Sequence, residues 1–496
     1  NVATNFTREI LPNSDGSFTF RQLPPGSYQL TVQAEGFATQ VIPITLVLGT
    51  TALLDVELAL GESSQIIEVL ANSVVEGKTE GSTNVDRTTI EKLPINRRNF
   101  LDFSTTAARV VSDGGAIGAT ATSGLSFNGQ SGRFNNVTID GLDNNDSGSG
   151  SVRATFSQDA VQEFQIISDN YSAEFGRALG GVVNIVTRGG TNDYHGGLFF
   201  FNRNDETSAK EPFADINPEF RQYQFGAVLG GPIKKDKAFF FTSFERLTIK
   251  QNTIVTISDD VVAAAKRQGF SDVQNGPRPF AIGTTTLLAR ADFRLNPQDS
   301  LFVRYNGGFS FNSGFDPFGG LVDYSNSGRQ TLDDNTVAVN NVYLNTGLNL
   351  VNETRFLFTV RKQDDFPLDP GPQVRITTDD GVNTFGRSSF LPQPRDQRFY
   401  QFVNNLSLTR GRHQIKFGGD LFITDPPEGK SALPFIPGGL AVFGPLNFTA
   451  LTGIPNLPSF TALEAFDSNL RSPTQLAFLT AAAALLPNLA PGLPAN

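Results

Sequence analysis

Apolar and polar side chains alternate over long stretches of the second half of the chain. Ala289, Ala291, Phe293 and Leu295 alternate with Arg290, Asp292 and Arg294, and Leu301, Val303 and Tyr305 with Arg304 and Asn306. Val342, Leu344, Thr346, Leu348 and Leu350 alternate with Asn341, Asn345 and Asn349. The pattern repeats for Thr354, Phe356, Phe358 and Val360 against Glu353, Arg355 and Arg361, and for Ile415, Phe417, Gly419 and Leu421 against Gln414, Lys416 and Asp420. Period two puts one kind of side chain on each face of a strand. Strands are expected near 194–203, 220–230, 238–250, 285–295, 300–311, 336–350, 353–363, 398–409 and 412–424.

The connections between these strands are of two kinds. Tight turns are expected at 231–237, 296–299, 351–352 and 410–412. Between them lie long stretches, 251–284, 312–335, 364–397 and everything after about 425. Strict alternation of short and long connections is the habit of an outer-membrane β-barrel, with short periplasmic turns and long extracellular loops. A soluble β-sandwich also alternates, but it accounts less well for that rule or for the phenylalanine runs 199–201 and 239–241. Those runs read as a lipid-facing aromatic belt, although the chain has no tryptophan to add to one. No membrane-spanning helix is expected, since 41–60 is interrupted by Pro43, Asp55 and Glu57 and the apolar run 476–486 is half a span.

The first part of the chain is patterned differently. Asp15-Gly16 marks a turn before Ser17-Phe18-Thr19-Phe20, and Leu23-Pro24-Pro25-Gly26 marks another before Tyr28, Leu30 and Val32, which alternate with polar residues. Short strands so spaced suggest a small β-sandwich. From 61 to about 84 the composition is that of a linker, broken by the apolar island Gln65-Ile66-Ile67-Glu68-Val69-Leu70-Ala71. That island is either the last strand of the sandwich or an extended segment that adds to a partner's sheet. Residues 85–192 read as mixed α/β, with short helices at 88–93 and 99–107 and strands at 125–128, 136–140, 161–168 and 181–187. Near the far end, Ser472-Pro473-Thr474-Gln475 signals a helix start, and Pro487 is expected to end that helix.

Composition narrows the function classes. The 39 basic and 49 acidic residues are spread along the chain, so no basic face suggests nucleic acid. Cysteine is absent and only His195 and His413 occur, which removes disulfides, thiolate sites and a three-histidine zinc centre. Both histidines read as ordinary strand residues. There is no G-x-S-x-G, G-x-x-x-x-G-K or G-x-G-x-x-G. The acidic, glycine-rich 140–151 faintly suggests a calcium loop, but it has Ala154 where a ligating Glu is needed and the spacing is wrong. No catalytic residue, metal site or cofactor is therefore expected, and the chain does not read as an enzyme. With no methionine and a start at Asn1, it is expected to be a piece lacking its beginning and any signal peptide.

Two resemblances organise these readings. The run from Asp15 to Val32, D-G-x-F-x-F-x-x-L-P-P-G-x-Y-x-L-x-V, resembles the carboxypeptidase-regulatory-like, transthyretin-like sandwich, here over 1–60 and without its first strands. The second rests on Leu93-Pro94-Ile95-Asn96-Arg97-Arg98-Asn99-Phe100-Leu101-Asp102, Asn136-Val137-Thr138-Ile139-Asp140-Gly141-Leu142-Asp143-Asn144-Asn145 and Val161-Gln162-Glu163-Phe164-Gln165-Ile166. It continues through Glu174-Phe175-Gly176-Arg177-Ala178-Leu179-Gly180-Gly181-Val182-Val183-Asn184-Ile185-Val186-Thr187-Arg188-Gly189-Gly190. Taken in order, these resemble the plug of TonB-dependent outer-membrane receptors, closest to the Oar-like group.

The resemblance implies a mainly β protein: a sandwich fragment at 1–60, a linker at 61–84, a mixed α/β plug at 85–192 and, at 193–496, the N-terminal part of an antiparallel transmembrane barrel of about 22 strands. Nine expected strands stop less than halfway round. It implies that the island Gln65, Ile66, Ile67, Glu68, Val69, Leu70 and Ala71 is a TonB box, engaged by TonB with ExbB and ExbD. It places Asp143, Asn144, Asn145, Asp146 and Arg153 at the plug apex, in reach of an unidentified extracellular substrate. The implied setting is the bacterial outer membrane and its lipid, with the N-terminal domain and plug periplasmic or within the lumen. Energised uptake and an adhesion, signalling or structural role for the barrel both remain open at this point.

Overall fold

A computed structural model describes residues 1–489 apart from 21, 62–64, 67–79, 94, 96–97, 113–124, 147–151, 154–155, 211–216, 316–317, 411–412 and 427–438. Three sheets carry the architecture. The first joins β1 (Gly26–Val32), β2 (Gln40–Leu46) and β3 (Gln65–Ile66) in that order, β1 and β2 antiparallel, β3 parallel to β2. Among the described residues, the expected strand at 17–20 pairs with no other strand, although the turn at Asp15-Gly16 is present, with Ser17 N donating to Asp15 Oδ1 at 3.0 Å. Phe18 and Phe20 instead meet edge-on, their centroids 6.3 Å apart.

The second sheet begins before residue 85. β4 (Gly81–Val85) is its edge, and the order runs β4-β9-β10-β7-β8, with β7 (Asn136–Ile139), β8 (Leu142–Asp143), β9 (Val161–Asp169) and β10 (Val182–Thr187). A small hairpin of β5 (Val110–Ser112) and β6 (Leu125–Phe127) lies beside it. Helix α1 (Arg87–Lys92) starts where Asp86 accepts from Thr89 N at 2.8 Å, a side-chain cap for an otherwise unpaired donor. The second expected helix is a 3-10 helix, Phe100–Thr106, capped by Asn99. Ile90, Leu101, Phe103, Phe127, Phe164, Ile166, Val183 and Ile185 are sealed in one core, each contributing roughly 1.5–3 kcal/mol by leaving water.

Among the described residues, nine strands form one antiparallel sheet in chain order: β11 (His195–Asn204), β12 (Phe220–Lys234), β13 (Ala238–Val255), β14 (Gly276–Asn296), β15 (Asp299–Asn312), β16 (Gly328–Asn345), β17 (Leu350–Pro367), β20 (Arg395–Arg410) and β21 (His413–Asp425). The alternation read from the sequence is its two faces. Tyr223, Phe225, Leu229, Val303, Val337, Phe356 and Phe402 project outward and are exposed, while Gln222, Gln224, Arg304, Asn306, Asp334, Thr336, Arg361 and Gln401 face inward and are buried. An apolar outside around a polar inside inverts a soluble protein, and is what a wall standing in lipid requires.

Three expectations shift. The turn placed at 351–352 lies at 346–349, between β16 and β17, where Asn349 adopts φ 48° beside Gly347. Asparagine tolerates that left-handed backbone better than β-branched Val351 would. The phenylalanine runs are not a uniform belt, because the pleat divides them: Phe200 and Phe240 face out, whereas Phe239 and Phe241 are buried, Phe241 in the core of the second sheet. The helix that starts at Pro473, with Ser472 and Gln475 exchanging caps, runs to Leu489 rather than stopping at Pro487. In the last turn a missing N–H forfeits a single bond.

The long connections also fold. Helix α2 (Asp259–Arg267) packs with β18 (Gln373–Thr378), β19 (Gly381–Phe385) and β22 (Leu440–Phe443) around Val255, Ile257, Val261, Val374, Ile376 and Phe385. The loops thus share a core of their own at one rim of the wall. Among the described residues, no helix is long and apolar enough to cross a membrane.

Candidate functional site at the plug–wall interface

The second sheet sits against the inner face of the nine-stranded wall, and the contact is largely polar. Phe241, Leu288 and, at its margin, Val228 of the wall join the inner core, and Leu142 of β8 packs among Ala338, Leu357, Phe399 and Val403 of the wall. The hairpin joining β7 to β8 comes close to the wall. Its two-residue turn is Asp140 (φ 52°) and Gly141 (φ 74°), the pairing favoured when both positions need positive φ. A Cβ on Gly141 would lie 3.0 Å from the Arg355 guanidinium carbon. The missing side chain lets the wall come close.

The Asp140 carboxylate accepts from Thr187 N at 2.9 Å, Thr187 Oγ1 at 2.8 Å and Arg304 Nη1 at 2.6 Å, with Arg290 Nη1 at 3.7 Å. Arg290 also donates to Thr187 O at 3.0 Å and pairs with Asp292 at 2.6 Å. Asp140 and Arg304 are both buried. Buried charge persists only when paired and hydrogen-bonded, and here each half of the pair comes from a different domain.

Asp143, Asn144, Asn145, Asp146 and Arg153, expected at an apex, come together immediately beyond this turn. Asp143 N donates to Gln401 Oε1 at 2.8 Å, and its carboxylate meets Arg177 and, at 3.8 Å, Arg153. Asn145 ties the loop to β7, donating to Asn136 Oδ1 at 3.0 Å and accepting from Val137 N at 3.0 Å. Arg153 N donates to Asn144 O at 2.8 Å. Asp146 pairs with Arg361 at 2.7 Å, and Arg361 also donates to Arg153 O at 3.1 Å and lies 3.6 Å from Asp334. The Arg153 guanidinium lies over the Phe399 ring, 4.7 Å from its centroid. Asp143, Asn144, Asp146 and Arg153 are buried in this contact with the wall.

A second polar contact lies on β12 and β13 of the wall. Glu245 accepts from Ser157 Oγ at 2.6 Å and Gln224 Nε2 at 2.7 Å, and Arg98 spans from Asp159 at 2.6 Å to Glu245 at 3.8 Å. The sequence reading missed Asp140, Arg290, Arg304, Arg361 and Glu245 as a group. The available signal was charge recurring at inward positions of otherwise alternating strands.

Of the apolar island, Gln65 and Ile66 form β3, paired with Gln40 and Val41. Ile67, Glu68, Val69, Leu70 and Ala71 lie outside the described residues. The sheet holding β3 is fastened to the plug and to the wall's short-turn rim. Leu48 N donates to Glu163 Oε1 at 2.9 Å and Leu48 O accepts from Asn84 Nδ2 at 2.6 Å. Asn5 donates to Asp236, in the β12–β13 turn, at 2.9 Å. Burial pushes the Glu163 carboxyl from its usual 4.5 up to about 7, the Leu48 N–H opposing the rise and Asp86 adding to it.

Comparisons with known proteins agree with this architecture. The outer membrane beta barrel domain family matches 186–287 and 275–466, more than half of the chain, and the carboxypeptidase regulatory-like domain matches 1–59. The TonB-dependent transporter Oar of Myxococcus xanthus is 29% identical over 289 residues, covering 52% of this chain and 27% of that protein. The outer membrane transporter YddB from Escherichia coli superposes with a TM-score of 0.53 at 14% identity, over 70% of this chain and 48% of that one. The chain thus spans about a quarter of the curated relative's length. With its inward polar wall, its inner domain and its N-terminal sheet, the chain belongs to the outer membrane β-barrel family, as a relative of the Oar-type TonB-dependent transporters.

Proposed function

We propose that this chain belongs to an energy-coupled outer-membrane transporter. An unidentified substrate is captured on the side of the long loops, taken as extracellular. TonB, driven through ExbB and ExbD by the inner-membrane proton gradient, pairs with 65–71 on the periplasmic side and pulls on the plug. The observation that carries this reading is the set of buried ion pairs and hydrogen bonds that divides the plug–wall contact into separate small apolar clusters. The Asp140–Arg304 pair and its neighbours can be exchanged for water, whereas a continuous apolar core would make the inner domain a permanent filling. Asp143, Asn144, Asn145, Asp146 and Arg153 belong to the part of the plug that faces the substrate path and rearranges when the plug is pulled. No bond chemistry is involved.

The test is binding of a purified TonB C-terminal domain to the full-length protein, with Ile67→Pro beside it. Proline deletes a backbone donor from an added strand. Binding by the parent protein that disappears in the variant is the expected result. Equal binding by both, or by neither, would reject the box at 65–71.

A further inference from the structure

β3 lies at the end of its sheet, and among the described residues no strand lies beyond it. One of its edges is taken by β2, with Gln40 opposite Gln65 and Val41 opposite Ile66. The other is open. A strand needs only one free edge to accept another chain, so pairing with β2 does not occupy the edge a partner would use.

The side of β2 that holds β3 follows from two observations. Ser27 stands opposite Thr45 in the β1–β2 ladder, yet its carbonyl accepts from Val2 N at 2.9 Å, so that pair does not bond across the ladder. Amide directions repeat every second residue along a strand, so Val41, Pro43 and Thr45 all turn their backbone groups away from β1. Pro43 has no N–H to lose on that side. Val41 does, and it is directed at β3. The edge is also held in place: Leu48 is fixed to the plug through Glu163 and Asn84, and the first residues to the short-turn rim through Asn5 and through Asn192 N, which donates to Ala3 O at 2.9 Å.

We infer that the regulatory-like domain presents the TonB-binding segment, holding Gln65-Ile66 extended against β2 so that the TonB strand adds to the open edge of β3. This rests on the reading of 65–71 as the TonB-binding segment. The domain then acts as a template that orders the segment before the partner arrives, removing an entropic cost from association. The opposite arrangement, in which the domain sequesters the segment and competes with TonB, predicts the reverse effects.

The chain has no cysteine, so a cross-link can be placed cleanly. The TonB C-terminal domain is titrated by calorimetry into the full-length protein in three forms: parent, Val41→Pro, and Val41→Cys with Ile66→Cys, oxidised and reduced. Val41→Pro removes the donor to β3 and spares the β1 ladder, and it should weaken binding about tenfold. The oxidised double variant should bind within about threefold of the parent. It gives an answer even if the proline variant loosens the domain, because the cross-link keeps the strands paired. Binding lost on oxidation and restored on reduction would show that the segment must leave the sheet, and would overturn the proposal. So would a Val41→Pro protein that binds as tightly as the parent or more tightly. Failure of the underlying reading is distinct: it shows as Ile67→Pro binding like the parent, or as no binding by any form.

Discussion

Arg304 of the wall and Asp140 of the plug meet at 2.6 Å with both side chains buried. Among the described residues, neither forms an ion pair within its own domain. Asp140 keeps two donors from Thr187 when Arg304 is removed, and Arg290 stands 3.7 Å away. Breaking a buried pair by deleting one partner costs about 3–5 kcal/mol, and these remaining contacts place Arg304→Met at the lower end. The variant should open its lumen to ions at a lower urea concentration than the parent in planar bilayers. Replacing Asp140 by Asn in the same protein should recover part of the loss, because no buried charge is then left over. Identical midpoints for all three would show that the pair does not hold the plug.

Gly190 marks the passage from plug to wall. A Cβ there would lie 2.3 Å from Phe240 O, 2.7 Å from Phe240 N and 2.9 Å from Gly231 O, all backbone atoms of the β12–β13 hairpin. At Gly181 the obstacle is the buried Phe127 ring, at 2.1 Å, a side chain rather than backbone. Gly181→Ala should therefore fold with a loss of about 1–3 kcal/mol. Gly190→Ala has no such escape, and should prevent assembly of the heat-modifiable barrel on gels. Normal heat modifiability in Gly190→Ala would contradict the close approach.

The wall was legible because its two faces meet different solvents. An apolar outside and a polar inside write period two plainly, and all nine expected strands are present in the nine-stranded sheet. Strand lengths were underestimated toward the long loops: β13 runs to Val255 and β14 begins at Gly276, since ladder bonds continue where the alternation fades. The folded loops were illegible for the opposite reason. Val374, Ile376 and Phe385 are distant from Val261 in sequence, and only the wall brings them together. The plug–wall pairs were hidden likewise, since nothing local to Asp140 says that an arginine 164 residues away will meet it.

Phe385 ties three connections together. Its ring is fully buried, 5.0 Å from Phe270 and 5.7 Å from Phe466, which belong to different loops. Truncating a buried phenylalanine typically costs about 3–5 kcal/mol. Because this core is separate from the plug's, Phe385→Ala should raise amide exchange in β18, β19 and α2 and leave β12 to β17 protected. Exchange rising equally in the wall would mean that loops and wall unfold as one unit.

Glu163 makes the docking of the N-terminal domain sensitive to pH. It lies in β9, outside the wall strands, is almost fully covered, and accepts from Leu48 N. In the docked form its carboxyl holds a proton up to about pH 7, against a usual value of 4.5. Between those values the docked form binds more protons than the undocked one, so docking weakens as pH rises across that window and levels off above it. The full span is on the order of 2–3 kcal/mol. Glu163→Gln keeps an oxygen for Leu48 N–H and removes the charge, so its docking should not vary with pH. The Leu48 amide reports this directly: after correction for intrinsic rates, its exchange should accelerate from pH 5 to 7 in the parent and stay level in Glu163→Gln. A level profile in the parent, or a slope surviving in the variant, would place the proton elsewhere.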